Sequence, residues 1–437
     1  MYSPAELAGI PRGKFVGPAN RRYLITNAVT LLALLFLNLI AGVVKQAPCF
    51  GKGYELPSAV FRVCQSPLAT ALGAPGTPNT DATTQLIATS VLTDYFVRAF
   101  GSGDGVTVAM MLVVGVNACA WIVTGCLLFR IFADAGRQWL VFVFASPMIA
   151  LTLGQSFDPV GIMFVVAAWF LLLKRRDGDA LNGVPGAPVL AGIAVVAAVF
   201  VQPFAVVVGA ALITWLLWSG RKSDALNLAG VATILMGLLV MLDAALTERI
   251  RQAFTSGVTW GSVGSLVGSR VDHNVIVVLS LLAWIGAVAL TLVLLRKAGV
   301  TRPSLPLLVS VCVGWALLTL PSSPTSLALW ALPFFALVVP YVWAHLAWNL
   351  AEVALLIAVN LNVAFHLEKA TGLSDAWLAF LTIVRLGFVG LMVTYVCSER
   401  GGVSQSSVSS EPATREQSKT ETEVAATSAV APGSQAN

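Results

Sequence analysis

Apolar residues run in blocks of helical length from about Tyr23 to Cys397, separated by short stretches rich in Gly, Pro, Lys and Arg. Continuous runs of this kind predict helices, because a membrane barrel would need alternating strands of about ten residues. The pattern gives twelve segments, at about 23–44, 105–128, 138–153, 159–173, 188–201, 204–218, 225–243, 275–295, 304–320, 326–343, 347–364 and 376–397. The fifth and sixth are read as a hairpin turning at Gln202-Pro203. A single straight helix of about 31 residues there would run about 46 Å against a hydrocarbon core of about 30 Å.

The expected fold class is all-α, a polytopic transmembrane bundle of about twelve spans. Residues 1–22 form a cytoplasmic N-terminus, 23–397 the transmembrane domain, and 398–437 a disordered cytoplasmic tail rich in Ser, Thr, Glu and Ala. Two outer segments are long, about 45–104 and 244–274. In the first, residues 82–100 bring Leu86, Ile87, Val91, Leu92, Tyr95 and Phe96 to one face, predicting an amphipathic helix on the outer membrane surface.

Composition narrows the class: 57% of residues are hydrophobic and 11% charged, against about one-quarter charged in a soluble domain. Charge then sets orientation. Seventeen Lys and Arg fall on the side that holds both termini and eight on the other, with Arg385 inside the last segment. That asymmetry puts both termini in the cytoplasm of a multi-pass plasma-membrane protein. The net charge of +5 therefore reports cytoplasmic loops, and no nucleic-acid partner is expected.

Few residues remain to carry chemistry. Cys49 and Cys64, fifteen positions apart in the first outer segment, suit an extracytoplasmic disulfide, the alternative being two free thiols. With three His in the chain, no metal cluster is expected and no cofactor is called for. Outer carboxylates are the candidates for a general base, since activating a sugar hydroxyl needs an ionised group within hydrogen-bond reach. Asp81 and Asp94 lie in the first outer segment. Asp158, in Gly154-Gln155-Ser156-Phe157-Asp158-Pro159, stands at the outer mouth between two spans, where an N-cap role competes with catalysis. Arg249, Arg251 and Arg270 gather in the second long outer segment, where they can hold a lipid phosphate or snorkel to headgroups. Glu352 and Arg385 fall inside apolar spans and are expected to pair as a clamp between neighbouring helices.

Four stretches carry a family resemblance. Ser323-Pro324-Thr325-Ser326-Leu327-Ala328-Leu329-Trp330-Ala331-Leu332-Pro333 resembles a Ser-Pro-Gln-Tyr-x-x-Trp-x-x-Pro stretch, and Trp348-Asn349-Leu350-Ala351-Glu352 resembles Trp-Gln-Ala-x-Glu. Ala145-Ser146-Pro147 with Phe157-Asp158 resembles a Ser-Pro…Asn-Trp-Asp element, and the paired loop cysteines fit too. Together they are similar to the GT-C superfamily of membrane glycosyltransferases, specifically actinobacterial polyprenyl-phosphate-mannose-dependent mannosyltransferases. The resemblance implies a polyprenyl-phosphate sugar donor, a cell-envelope glycan or lipid acceptor, and a site on the extracytoplasmic face with an acidic residue of the first outer loop near the reaction centre. The chain departs from that pattern at Cys64-Gln65-Ser66-Pro67, where close relatives carry an acid, and lacks a Glu-Tyr-Pro element, having Asp81-Ala82-Thr83-Thr84-Gln85 instead. Asp81 is then the substitute carboxylate. Two other readings follow from those departures: an inactive GT-C-fold partner of envelope biosynthesis, and a transporter or flippase.

Overall fold

A computed structural model describes residues 21–54, 58–64, 66, 68–69, 99, 105–131, 140–173, 186–242, 247, 251, 261–267, 271–300, 303–321, 325–339, 341–367 and 372–398. Asp81, Asp94, Arg249 and Arg270, the amphipathic segment at 82–100 apart from Ala99, and the tail beyond Ser398 lie outside them. Among the described residues the structure is helical and holds no strand.

Fourteen helices are numbered here: α1 Arg21–Lys52, α2 Gly105–Ile131, α3 Leu140–Phe144, α4 Met148–Thr152, α5 Asp158–Leu172, α6 Ala187–Val201, α7 Ala205–Trp218, α8 Lys222–Leu242, α9 Val263–Val267, α10 His273–Lys297, α11 Leu305–Thr319, α12 Ala328–Val338, α13 Val342–Leu367 and α14 Asp375–Ser398. Six contain stretches long and apolar enough to cross a membrane, in α1, α2, α8, α10, α13 and α14. The apolar helices α5, α6, α7, α11 and α12 have eleven to fifteen residues. At 1.5 Å per residue they rise about 17–22 Å, short of a core of about 30 Å.

Three of the short helices are largely enclosed. Ten of the eleven residues of α12 are buried, as are ten of fifteen in each of α5 and α11. A helix apolar all round either faces lipid or is enclosed by protein, and α12 is enclosed, with α3, α5, α11 and α14 against it. The long helices turn apolar side chains outward, including Leu282 and Ile285 of α10 and Leu346 and Leu350 of α13. Helices α5, α11 and α12 are thus inner helices, while the short α6 and α7 turn Leu190, Ile193 and Leu217 outward as the long helices do.

Several boundaries differ from the sequence expectation, each with a local cause. The segment expected at 138–153 is broken into α3 and α4 by Ser146-Pro147, because proline cannot donate to the ladder. The segment expected at 326–343 ends at Val339, whose extended backbone fits the residue before Pro340, and α13 then starts at Val342. The first helix continues to Lys52, eight residues past its expected end. At Gln202 the backbone is extended and the chain turns back: an added Cβ on Gly209 would lie 2.8 Å from Val195 Cγ1, and both residues stand seven positions from Gln202. Helices α6 and α7 are therefore an antiparallel pair.

Candidate functional site

Irregular backbone inside a membrane bundle must find its hydrogen bonds within the protein. The breaks around α3 and α4 free several carbonyls, and side chains from remote helices take them. From α1, the Asn38 amide donates to the Phe144 carbonyl and the Lys45 ammonium to that of Leu151. From α2, Asn117 Nδ2 donates to the carbonyls of Leu153 (2.7 Å) and Ser156 (2.8 Å). The Ser146 hydroxyl donates to Asn349 Oδ1 of α13, whose own amide donates to the His345 carbonyl at 2.8 Å. His345 Nε2 lies 2.8 Å from the Val339 carbonyl at the next break, and its ring stacks on Phe142.

Asp158 is the first residue of α5 and makes no cap with its side chain. Instead its carboxylate, only 1% exposed, accepts from three uncharged donors. Trp330 Nε1 of α12 is 2.7 Å from Oδ1, Gln202 Nε2 of the α6–α7 turn is 3.0 Å from the same oxygen, and the Ser156 hydroxyl donates to Oδ2. Gly161, one turn on, lets the Trp330 ring lie flush: a Cβ there would sit 2.9 Å from two ring carbons. Phe204 meets the same ring edge to face. Asp158 is thus a junction joining α5, α12 and the α6–α7 turn.

Glu352 and Arg385 also meet. Arg385 Nε lies 2.8 Å from Glu352 Oε1 and 2.9 Å from Oε2, and both side chains are buried. Trp348 Nε1 donates to Glu352 Oε1 at 3.1 Å. Arg385 Nη1 donates to the Gly261 carbonyl at 2.6 Å, which carries the pair into the connection at 244–274. Arg385 is ten residues into α14, a depth of about 15 Å, so the stretch from Gly261 through α9 reaches the level of the bundle's interior. There it packs against α11 and α14, with Gly261, Ser262 and Gly264 buried.

The connection between α1 and α2 begins on a covalent tie. Cys49, near the end of α1, is bonded to Cys64, with their Cα atoms 6.3 Å apart. The Tyr54 hydroxyl donates to Gln46 Oε1 at 3.3 Å, and burial pushes its pKa well above the usual tyrosine value. Arg251 occupies an exposed helical position. Among the described residues, no group of three His, Cys, Asp or Glu side chains is arranged to hold a metal ion.

Two spaces accompany these groups. An open apolar groove of about 430 Å³ lies between α2 and α5, with Met111, Gly115, Val116, Cys119, Val160 and Met163 among its walls. Beside Glu352 is a void of about 10 Å³, at the lower limit of what holds one water.

No protein-family model, curated protein or solved structure matches the chain.

The structure brings Glu352 to Arg385 and Cys49 to Cys64, and it joins Asp158 to neutral donors rather than to a cation. The partners Gln202, Trp330, Asn117 and Asn349 were not singled out as site residues in the sequence. Their signal was there: amides and indoles inside otherwise apolar spans are expensive to bury unless a specific acceptor meets them.

Proposed function

We propose that the chain is a multi-pass membrane glycosyltransferase of the GT-C kind, moving a sugar from a polyprenyl-phosphate donor to a cell-envelope glycan or lipid acceptor. The observation that carries this reading is the wiring of the resembling stretches to one another. Ser146 of the Ser-Pro element bonds Asn349 of the Trp-Asn-Leu-Ala-Glu stretch across 203 positions, and Asp158 bonds Trp330 across 172. Residues that look alike in sequence because they belong to one framework are expected to touch in this way. The groove between α2 and α5 adds support. Its walls are apolar, it is open, and Val160 stands two residues from Asp158, which suits an isoprenoid chain.

In this reading the chain crosses the membrane about twelve times in the plasma membrane, with both termini cytoplasmic and chemistry on the extracytoplasmic face. Asp158, closed off and saturated with donors, positions α5 and α12. The general base is a carboxylate of the first outer segment, Asp81 or Asp94, and Arg249, Arg251 or Arg270 holds the donor phosphate. The test is transfer from a polyprenyl-phosphate sugar in membranes containing Asp81→Asn and Asp94→Asn variants. A general base contributes about 10²- to 10⁴-fold, so one of the two should fall by that factor with expression unchanged. Wild-type rates in both variants would sink the assignment.

The second reading, an inactive partner that keeps the fold, draws on the closure of Asp158 and the missing acid after Cys64. It predicts no transfer by the wild-type chain.

A further inference from the structure

The hairpin of α13 and α14 sorts its side chains inside out. Over its middle turns the polar residues face the protein: His345, Asn349, Glu352 and Asn360 on α13 and Thr382 and Arg385 on α14 are each at most 6% exposed. The side chains turned outward there are aliphatic, with Leu346, Leu350 and Ile383 each more than half exposed. Aromatic groups stand at both ends of that strip. At one end the Tyr395 ring meets Tyr341 and Trp343, with centroids 4.6 Å and 5.8 Å away. At the other, Trp377 and Phe380 meet edge to face at 6.0 Å, and both are more than half exposed. Next to Trp377 the ionisable groups come to the surface: His366 Nε2 lies 3.0 Å from Asp375 Oδ1, and both of these side chains are more than half exposed.

We infer that the two aromatic groups mark the two interfaces of a phospholipid bilayer, and that acyl chains rather than a partner protein cover the strip between them. Indole and phenol rings favour the headgroup level, where one end is apolar and the other wet, while a polar side chain turned to lipid is costly. Trp377 and Tyr395 are eighteen positions apart in one helix, a rise of about 27 Å that matches a hydrocarbon core of about 30 Å. Counted from opposite ends, Glu352 stands nine positions from Trp343 and Arg385 eight from Trp377, rises of about 14 Å and about 12 Å. Both helices thus put the buried ion pair near the middle of the bilayer, and His366 and Asp375 fall among the headgroups. This assignment fixes which face of the protein lipid touches and needs no transfer reaction, so it can fail while the proposed function stands.

The experiment uses the full wild-type chain in phosphatidylcholine bilayers that carry one of two photoreactive lipids, with a diazirine at the acyl terminus or beside the glycerol. Crosslinked residues are read by peptide mass spectrometry. The acyl-terminal probe should label Leu350 and Ile383 in preference to Trp343 and Trp377, and the glycerol probe should invert that preference. Diethyl pyrocarbonate added to the water should modify His366. If Leu282 and Ile285 of α10 are labelled while Leu350 and Ile383 are not, protein covers the strip and the inference is overturned. The same preference with both probes, or an unmodified His366, overturns it as well.

Discussion

A carboxylate that accepts three hydrogen bonds from three parts of the chain works as a joint. Trp330→Phe keeps an aromatic side chain, though a smaller one, and removes the indole N–H donor to Asp158; it should cost about 1–3 kcal/mol in the unfolding of detergent-solubilised protein. Gly161→Ala attacks the same contact from the other side by overpacking, with a cost of about 1–3 kcal/mol. An unchanged midpoint in both would mean that the junction carries no load. The buried ion pair makes a sharper case. Glu352→Gln leaves the Arg385 charge unmatched and should cost about 3–5 kcal/mol, whereas Glu352→Leu combined with Arg385→Met should recover most of that loss. A double variant as unstable as Glu352→Gln would contradict this account. Sequence reasoning reached the Glu352–Arg385 pair because intramembrane charges are scarce and a partner one helix away is the economical solution. It reached Asp158 as a notable residue but not its partners, since Gln202 and Trp330 lie 44 and 172 positions away and only folding brings them near.

Among the elements, the uninterrupted helices α2, α8, α10 and α14 were the most legible, because a continuous apolar run sets both their type and their length. The broken ones were harder. Across 138–153 and 326–343 hydropathy stays high through Pro147 and Pro340, and whether such a run bends or stops depends on who accepts the freed backbone groups. Asn117 is one answer. Asn117→Leu should expose the carbonyls of Leu153 and Ser156 to an apolar interior, and amide exchange through residues 153–157 should rise more than in α2 itself. The stretch from Gly261 through α9 is another case, since a Gly- and Ser-rich connection read as an outer loop enters the bundle and is held by Arg385. A cysteine introduced as Ser265→Cys should resist membrane-impermeant maleimide and become reactive when Arg385→Ala is added. Reaction in both backgrounds would show that the guanidinium does not hold this segment in place.

Taken as a whole, the molecule holds the breaks around α3 and α4 and the Glu352–Arg385 pair among packed helices. The short helix α12 lies among them, with protein against it from four other helices. Membrane character and helical class were legible from the spacing of apolar blocks alone. The enclosed position of α12 was not, because a helix of eleven apolar residues and part of a membrane span look alike in hydropathy, and only burial on every side separates them. The central claim is that the chain transfers a lipid-linked sugar. Its most direct test is purified wild-type protein in proteoliposomes with radiolabelled polyprenyl-phosphate mannose and an envelope lipid extract as acceptor. The account predicts label moving into an acceptor product, with polyprenyl phosphate released in equal amount and the reaction lost in the Asp81→Asn, Asp94→Asn double variant. Label that remains on the donor in the presence of folded wild-type protein would contradict it.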